Sequence, residues 1–299
     1  MAEITASLVK ELRDKTSAGM MDCKEALKET SGDIDAAIDY LRKKGIDKAG
    51  KKASRDASEG IVQTLVAADG RSGTIAEINC ETDFVAKNDS FTGFVDDVIG
   101  HLDGSSADTV EAAMAEPFAA GEGSLEDSIK LKIIELGENL VLRRFGRCAI
   151  ADGSQGVVSS YIHMAGKVGV LIEVGCEKAE TVSSEGFQEL VKDLTLHIAA
   201  SDPLGISRDD IAADKIAAEQ SVHEEQMKAD PKMEGKPEQA LAAILQGKMN
   251  KLFFATVSLL DQGFVKAPEH TIAGLLETKG KELGDTIVVR SFIRYAVGS

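Results

Sequence analysis

Over the first forty-odd residues the apolar positions recur with the period of a helix. Ile4, Leu8, Val9 and Leu12 fall on one face, Thr5 or Ser7 can cap the start, and Thr16-Ser17-Ala18-Gly19 ends the segment. Asp22 can cap a second helix through Leu27. After a short turn, Gly32-Asp33 opens a third, on which Ile34, Ala37, Ile38 and Leu41 share a side and which Gly45 closes. The pattern predicts a compact three-helix domain over residues 1–47. Its Gly19-Met20-Met21 loop carries two flexible thioethers; Met20 and Met21 either fill the small core, or one of them stands out to meet an irregular partner surface. Residues 48–59 turn basic, small and polar, as a linker does.

Beyond Gly60 the spacing changes. Two apolar runs, 61–67 and 74–80, flank the turn residues Asp69-Gly70-Arg71-Ser72-Gly73 and predict a hairpin. Phe91, Phe94, Val95, Val98 and Leu102 then mark a helix able to lie on it. An alanine-rich stretch from Gly104 to Gly123 has room for one more helix, Ser124 caps a segment bearing Ile129, Ile133, Ile134 and Leu136, and Asn139–Phe145 reads as a third strand.

This unit occurs twice. From Gly60 to His101 the chain matches itself 96 positions later, with Gly60/Gly156, Val62/Val158, Gly70/Gly166, Glu77/Glu173, Cys80/Cys176, Glu81/Glu177, Phe91/Phe187 and His101/His197 identical. Its ending recurs at an offset of 147, as in Gly137/Gly284, Arg143/Arg290 and Phe145/Phe292, so the second copy carries a net insertion of 51 residues. Two helical stretches, Asp209 to Met227 and Pro237 to Leu252, fill that insertion around a Pro- and Gly-containing turn. They predict an antiparallel helical hairpin over about 207–257 with no core of its own, suited to packing on a partner or another protomer. The expected fold is α+β. The N-terminal three-helix domain resembles the ubiquitin-associated fold; two duplicated subdomains with antiparallel three-stranded sheets follow, over 60–150 and 151–299, the second bearing the hairpin.

Residues common to both copies are accounted for by a shared fold, so function is sought where they differ. The recurrence stops at Thr82: copy one continues Thr82-Asp83-Phe84-Val85-Ala86-Lys87-Asn88, copy two Lys178-Ala179-Glu180-Thr181-Val182-Ser183-Ser184. A large apolar Phe84 between an acid and a lysine, in a turn that enters a helix, is the leading candidate contact. The alternative places Phe84 in the core, as Phe91 is placed.

Charge narrows the partners. Fifty acidic residues against 34 Lys and Arg give a net charge of −16, which repels phosphate backbones and anionic lipid and leaves a protein or a small ligand as partner, with no direct nucleic acid and no membrane. The first residues lack a basic and then apolar leader, and no apolar run approaches the roughly 18 residues of a membrane span, so a cytoplasmic protein is expected. Four cysteines, Cys23, Cys80, Cys148 and Cys176, lie far apart without a CxxC pair, which suits free thiols in a reduced compartment. An enzyme would have to pair Cys80 or Cys176 with His101 or His197, but both pairs are duplicated, as core positions would be. No Cys/His cluster has zinc-ligand spacing, and neither metal nor cofactor is expected. A ubiquitin-type adaptor built on residues 1–47 would leave most of the chain idle.

Long motifs across the whole chain resemble the bacterial elongation factor Ts family, nucleotide-exchange partners of elongation factor Tu. They are Thr16–Leu27, Asn79–Asn88, Gly137-Glu138-Asn139 and His197-Ile198-Ala199-Ala200-Ser201. The resemblance implies a partner, elongation factor Tu in its GDP-bound and nucleotide-free forms; the helical hairpin leaves a homodimer or a 2:2 complex open. It implies that Thr82, Asp83, Phe84 and Val85 enter the partner's G domain and disturb its magnesium site. Met20 and Met21 of the N-terminal domain would touch the same G domain, and His163 of the second subdomain would meet the partner's third domain. Many members continue beyond a strand like Phe292–Val297 into a helix that returns to the G domain. Here the last residue is Ser299, and the resemblance does not carry that contact over.

Overall fold

The computed structural model describes residues 4–16, 18–52, 54–121 and 123–299, with side chains for all of these except 42 and 44–51. Helices α1 (Ala6–Thr16), α2 (Met20–Glu29) and α3 (Ile34–Lys52) enclose a small core of Val9, Leu12, Cys23, Ala26, Leu27, Ala37 and Leu41. Thr5 Oγ1 accepts from the Leu8 N–H at 3.3 Å and so caps α1. Two boundaries differ from the sequence pattern. Gly19, extended at φ −58°, ψ 140°, is the N-cap of α2, so Met20 and Met21 form its first turn and not a loop. Helix α3 runs through Gly45 and Gly50 to Lys52: each such glycine costs up to about 1 kcal/mol, and the lysines and alanine around them are good helix formers. The Lys52 ammonium then donates to the Gly137 carbonyl.

The rest of the chain has two sheets of like construction. Strands β1 (Glu59–Val66), β2 (Ser72–Cys80) and β3 (Val141–Ala149) form one, in the order β1-β2-β3; β4 (Gln155–His163), β5 (Val168–Cys176) and β8 (Val288–Ala296) form the other, in the order β4-β5-β8, all antiparallel. A one-turn helix follows the central strand in each copy, α4 (Asp83–Ala86) and α8 (Ala179–Val182), and then a long one, α5 (Asp89–Gly104) and α9 (Glu185–Ser201). In copy one the short α6 (Val110–Ala115) and then α7 (Leu125–Leu136) complete the outer layer, where Phe91, Val95, Val98, Leu102, Leu125 and Ile129 pack on Ala76, Ile78 and Cys80. Phe187, Val191, Leu194 and Ile198 of α9 do the same over Val170, Ile172 and Val174.

The inner faces of the sheets meet through Val62, Ile75, Cys148, Ile150, Val158 and Leu171, giving helix, sheet, sheet, helix layers. The contact is reciprocal. Val62 N–H donates to the Gly166 carbonyl and Val158 N–H to the Gly70 carbonyl, each at 2.7 Å, so each hairpin tip is bonded to the other copy's first strand. Both tip glycines have positive φ, 67° at Gly70 and 93° at Gly166. A Cβ on Gly166 would stand 2.8 Å from the Ile61 Cβ, and only glycine permits that approach. Glu77 is buried between the layers with the Arg144 guanidinium 2.7 Å away, and Glu173, its counterpart, faces Arg290; both sit at a register shift in the central strand.

The insertion forms α10 (Ala213–Ala229) and α11 (Glu238–Lys248). The second leg continues through a π-helical turn, Met249–Phe254, into α12 (Ala255–Val257). The hairpin does have a core, at its base, where Ile211, Met249 and Phe254 are buried and Ile216, Leu245, Phe253 and Val257 pack on them. The sequence pattern missed it because its members come from both legs and the base. Arg208 locks that base: its guanidinium bonds Asp261 at 2.6 Å and Asn250 at 2.8 Å and lies over the Phe254 ring. The small strands β6 (Gly263–Phe264) and β7 (Ala267–Thr271) and helix α13 (Ile272–Leu283) lead back to β8.

His197, fully buried on α9, ties this return to the sheet. Val265 N–H donates to its Nδ1 at 3.3 Å, so Nε2 carries the proton and donates to Gln262 Oε1 at 2.9 Å. Burial pulls its pKa below the ordinary 6.5, against the Gln262 bond, which acts the other way. The unfolded chain therefore takes up this proton first as pH falls, and the associated stability, complete above about pH 6.5, declines below it through the folded-state value. In thermal melts the protein is expected to lose Tm as the pH falls below about 6.5. His197→Gln should melt lower at neutral pH yet show a flatter profile below that pH; an unchanged slope would remove His197 as the cause.

Candidate functional site

The turn after β2 is where the two copies part. Asp83–Ala86 is one helical turn, too short to persist alone, and its support comes from outside. Ala86 is buried and Val85 packs against the core of copy one, which anchors one side of the turn. Thr82 caps it, accepting weakly from the Val85 N–H at 3.4 Å. The main brace is Glu138, whose carboxylate accepts from Glu81 N–H at 3.1 Å, Thr82 N–H at 3.0 Å and the Thr82 hydroxyl at 2.6 Å. Charge-assisted bonds of this kind are about twice as strong as neutral ones. Glu81 in turn accepts from Asn139 N–H at 2.7 Å, and Asn139 Nδ2 donates to the Arg55 carbonyl at 2.9 Å.

Phe84 projects from this braced turn with 82% of its surface exposed, whereas Phe91, seven residues on, is completely buried. An exposed phenylalanine forgoes roughly 1.5–3 kcal/mol of burial, which a partner surface can recover. Asp83 and Lys87 pair across the turn at 2.7 Å. That bond, with the lysine's charge, holds the Asp83 carboxyl below its ordinary range and raises the Lys87 ammonium. The turn presents an exposed aromatic ring beside an ion pair.

The fold repeats where the sequence does not. Helix α8 stands 96 positions after α4, and Asp285, 147 positions after Glu138, accepts from Glu177 N–H at 3.1 Å, Lys178 N–H at 3.0 Å and the Thr181 hydroxyl. The expectation that recurrence ends at Thr82 therefore holds for side chains only. The clamp needs two backbone N–H groups, which any residue but proline supplies, and a carboxylate from the loop before the third strand. In copy two the position of Phe84 is held by Glu180.

Met20 and Met21 are both exposed, at 56% and 77%, outside the three-helix core. His163 is exposed at the end of β4, its Nδ1 2.9 Å from the Tyr161 hydroxyl. It leads into a left-handed tip in which Met164 (φ 49°) and Ala165 (φ 52°) adopt a conformation unusual for non-glycine residues, and Met164 is 71% exposed. That hairpin is bonded to copy one: Lys167 reaches the Glu59 carboxylate, and Glu59 lies opposite Cys80 in the ladder that leads into the Phe84 turn. The residues singled out in the sequence thus occupy three surface elements, Thr82–Val85 as one unit and Met20/Met21 and His163 each apart. Glu138 and Met164 escaped the pattern. Glu138 was discoverable, since Glu138 and Asp285 obey the 147-residue offset.

The thiols and imidazoles do not meet as a catalytic pair would. Burial pushes the Cys80 thiol up to about 12, and its Sγ donates to the Thr82 carbonyl at 3.2 Å; Cys176 repeats this with Lys178, while His197 is engaged with Gln262. Among the described residues no three His, Cys, Asp or Glu side chains gather where they could hold a metal ion, and no helix is long and apolar enough to cross a membrane.

Residues 81–299 match the sequence pattern of the family described as Elongation factor TS. Proteins named Elongation factor Ts are 42% identical over 99% of this chain and 93% of their own length in Trichlorobacter lovleyi, and 42% identical over 100% and 94% in Nautilia profundicola. The protein of that name from Nostoc punctiforme is 41% identical over 100% of this chain and 93% of its own. The chain belongs to the elongation factor Ts family, and with it to the translation elongation factors.

Proposed function

We propose that this protein binds elongation factor Tu carrying GDP and promotes GDP release by disturbing the magnesium site, so that GTP can load. The observation that carries the reading is Phe84: a nearly fully exposed aromatic on a braced turn, present in one copy of a duplicated unit and replaced by Glu180 in the other. GDP is retained by a phosphate-binding loop and by Mg²⁺, the largest local charge. A phenylalanine entering a close-packed switch region forces it into another arrangement, because packed interiors do not deform continuously. Asp83, half-buried beside it and paired with Lys87, offers a competing carboxylate near the ion.

In this reading Thr82, Asp83, Phe84 and Val85 act on the G domain, Met20 and Met21 add affinity for it, and His163 contacts the third domain. The protein supplies no acid, base, metal or cofactor and acts as an exchange factor rather than an enzyme, in the cytoplasm. It binds the GDP-bound and nucleotide-free partner, as a homodimer by itself or in a 2:2 complex with it. We assign the domains as 1–47, 60–150 and 151–299; residues 48–59, which finish α3 and open β1, join the first two. Coupling is reciprocal: a tenfold loosening of nucleotide is a tenfold loosening of this protein by nucleotide, about 1.4 kcal/mol.

Fluorescent GDP bound to elongation factor Tu is expected to dissociate faster with this protein present, and excess magnesium should reduce the effect. Phe84→Ala should cut the stimulated rate about tenfold or more, equivalent to ~1.4 kcal/mol of barrier; unchanged release would refute the wedge. The same substitution should leave unfolding within about 0.5 kcal/mol, whereas Phe91→Ala should cost about 3–5 kcal/mol, compared by urea denaturation. The double variant Met20→Ala, Met21→Ala should raise the concentration giving half-maximal stimulation and leave the maximal rate in place. A drop in the maximal rate would instead put the methionines in the exchange step.

A further inference from the structure

We infer that Glu138 is a positioning residue for exchange: its carboxylate fixes the Thr82–Phe84 turn so that contact with the partner shifts the partner and not the turn. The inference rests on the exchange reading above. A wedge transmits force only if its base does not yield, and α4 by itself is one helical turn with a long capping bond. Glu138 supplies three bonds that hold its N-terminal side, the shortest at 2.6 Å from the Thr82 hydroxyl. Its loop is itself pinned. Gly137 ends α7 in the left-handed conformation at φ 81°, Asn139 is buried and bonded to Glu81 and to the Arg55 carbonyl, and Lys52 at the end of α3 reaches the Gly137 carbonyl. The same three-residue loop therefore joins the exchange turn to the segment leading from the three-helix domain.

Duplication provides the control. Asp285 accepts from the two equivalent backbone N–H groups, Glu177 and Lys178, and from the Thr181 hydroxyl and Thr286 N–H, beneath a turn that presents Glu180, so clamp and presented side chain are separable, and the clamp in copy two bears on fold alone. Removing Glu138 or Asp285 breaks the same two backbone bonds in related places, together with a threonine hydroxyl bond in each, but only the former lies beneath Phe84.

The test uses the full-length protein with elongation factor Tu and fluorescent GDP, reading maximal stimulated rate and half-saturating concentration separately. Glu138→Ala is expected to lower the maximal rate about tenfold with a smaller change in half-saturation. Glu138→Gln, which keeps an oxygen for the two N–H groups, should retain it within about threefold. Asp285→Ala should keep the wild-type maximal rate. Amide hydrogen exchange at Glu81 and Thr82 should speed up in Glu138→Ala and stay slow in Asp285→Ala. Equal losses in Glu138→Ala and Asp285→Ala would reduce Glu138 to a general fold residue, and an unaltered maximal rate in Glu138→Ala would overturn the assignment while the exchange reading stood. No stimulation by the unaltered protein would overturn both, with amide exchange still reporting whether the clamp holds the turn.

Discussion

The arrangement of the molecule depends on a pair of backbone hydrogen bonds, Val62 to Gly166 and Val158 to Gly70, by which each hairpin tip is held to the opposite sheet. Thr64 and Ser160, equivalent positions in the two copies, meet hydroxyl to hydroxyl between these bonds at 3.1 Å. With the apolar layer of Val62, Ile75, Val158 and Leu171, this fixes the sheets against each other and gives the surface elements a rigid common base. The ends of the central strands follow from that base, and with them the position of the turn that carries Phe84.

On this base the chain separates support from contact. Buried residues recur between copies because packing in each sheet poses the same problem, as Cys80 and Cys176 or Glu77 and Glu173 illustrate. The clamped turn recurs as well, with Glu138 in one copy and Asp285 in the other. What varies is the side chain that needs no internal partner. Phe84 is free to be aromatic and exposed because Val85 and Ala86 on one side and Glu138 on the other already hold the backbone in place.

Much of this was legible in the sequence. The helix-period positions of the first domain, the two hairpins, the offsets of 96 and 147 and the insertion they imply all rest on local spacing, which strands and helices impose directly. The exposure of Phe84 was legible too, through its absence from copy two. What escaped depended on partners distant along the chain. The Glu138 clamp joins residues 56 positions apart, the core at the hairpin base draws on Ile211 and Phe254, and the continuation of α3 past Gly45 sets a local penalty against helix-forming neighbours and a bond to Gly137. Periodicity reports which face of an element is apolar; it does not report which loop will lie beside a turn.

The reciprocal tip bonds carry a consequence for ancestry. A chain with one copy of the unit could make the Val62–Gly166 type of bond only by pairing with a second molecule of itself, residue i to j and j to i. That is the signature of an isologous twofold dimer. The present protein has the form of such a dimer fused into a single polypeptide, and in a fused chain the two halves need not match: one presents a phenylalanine at the tip of its turn, and the other bears a helical arm.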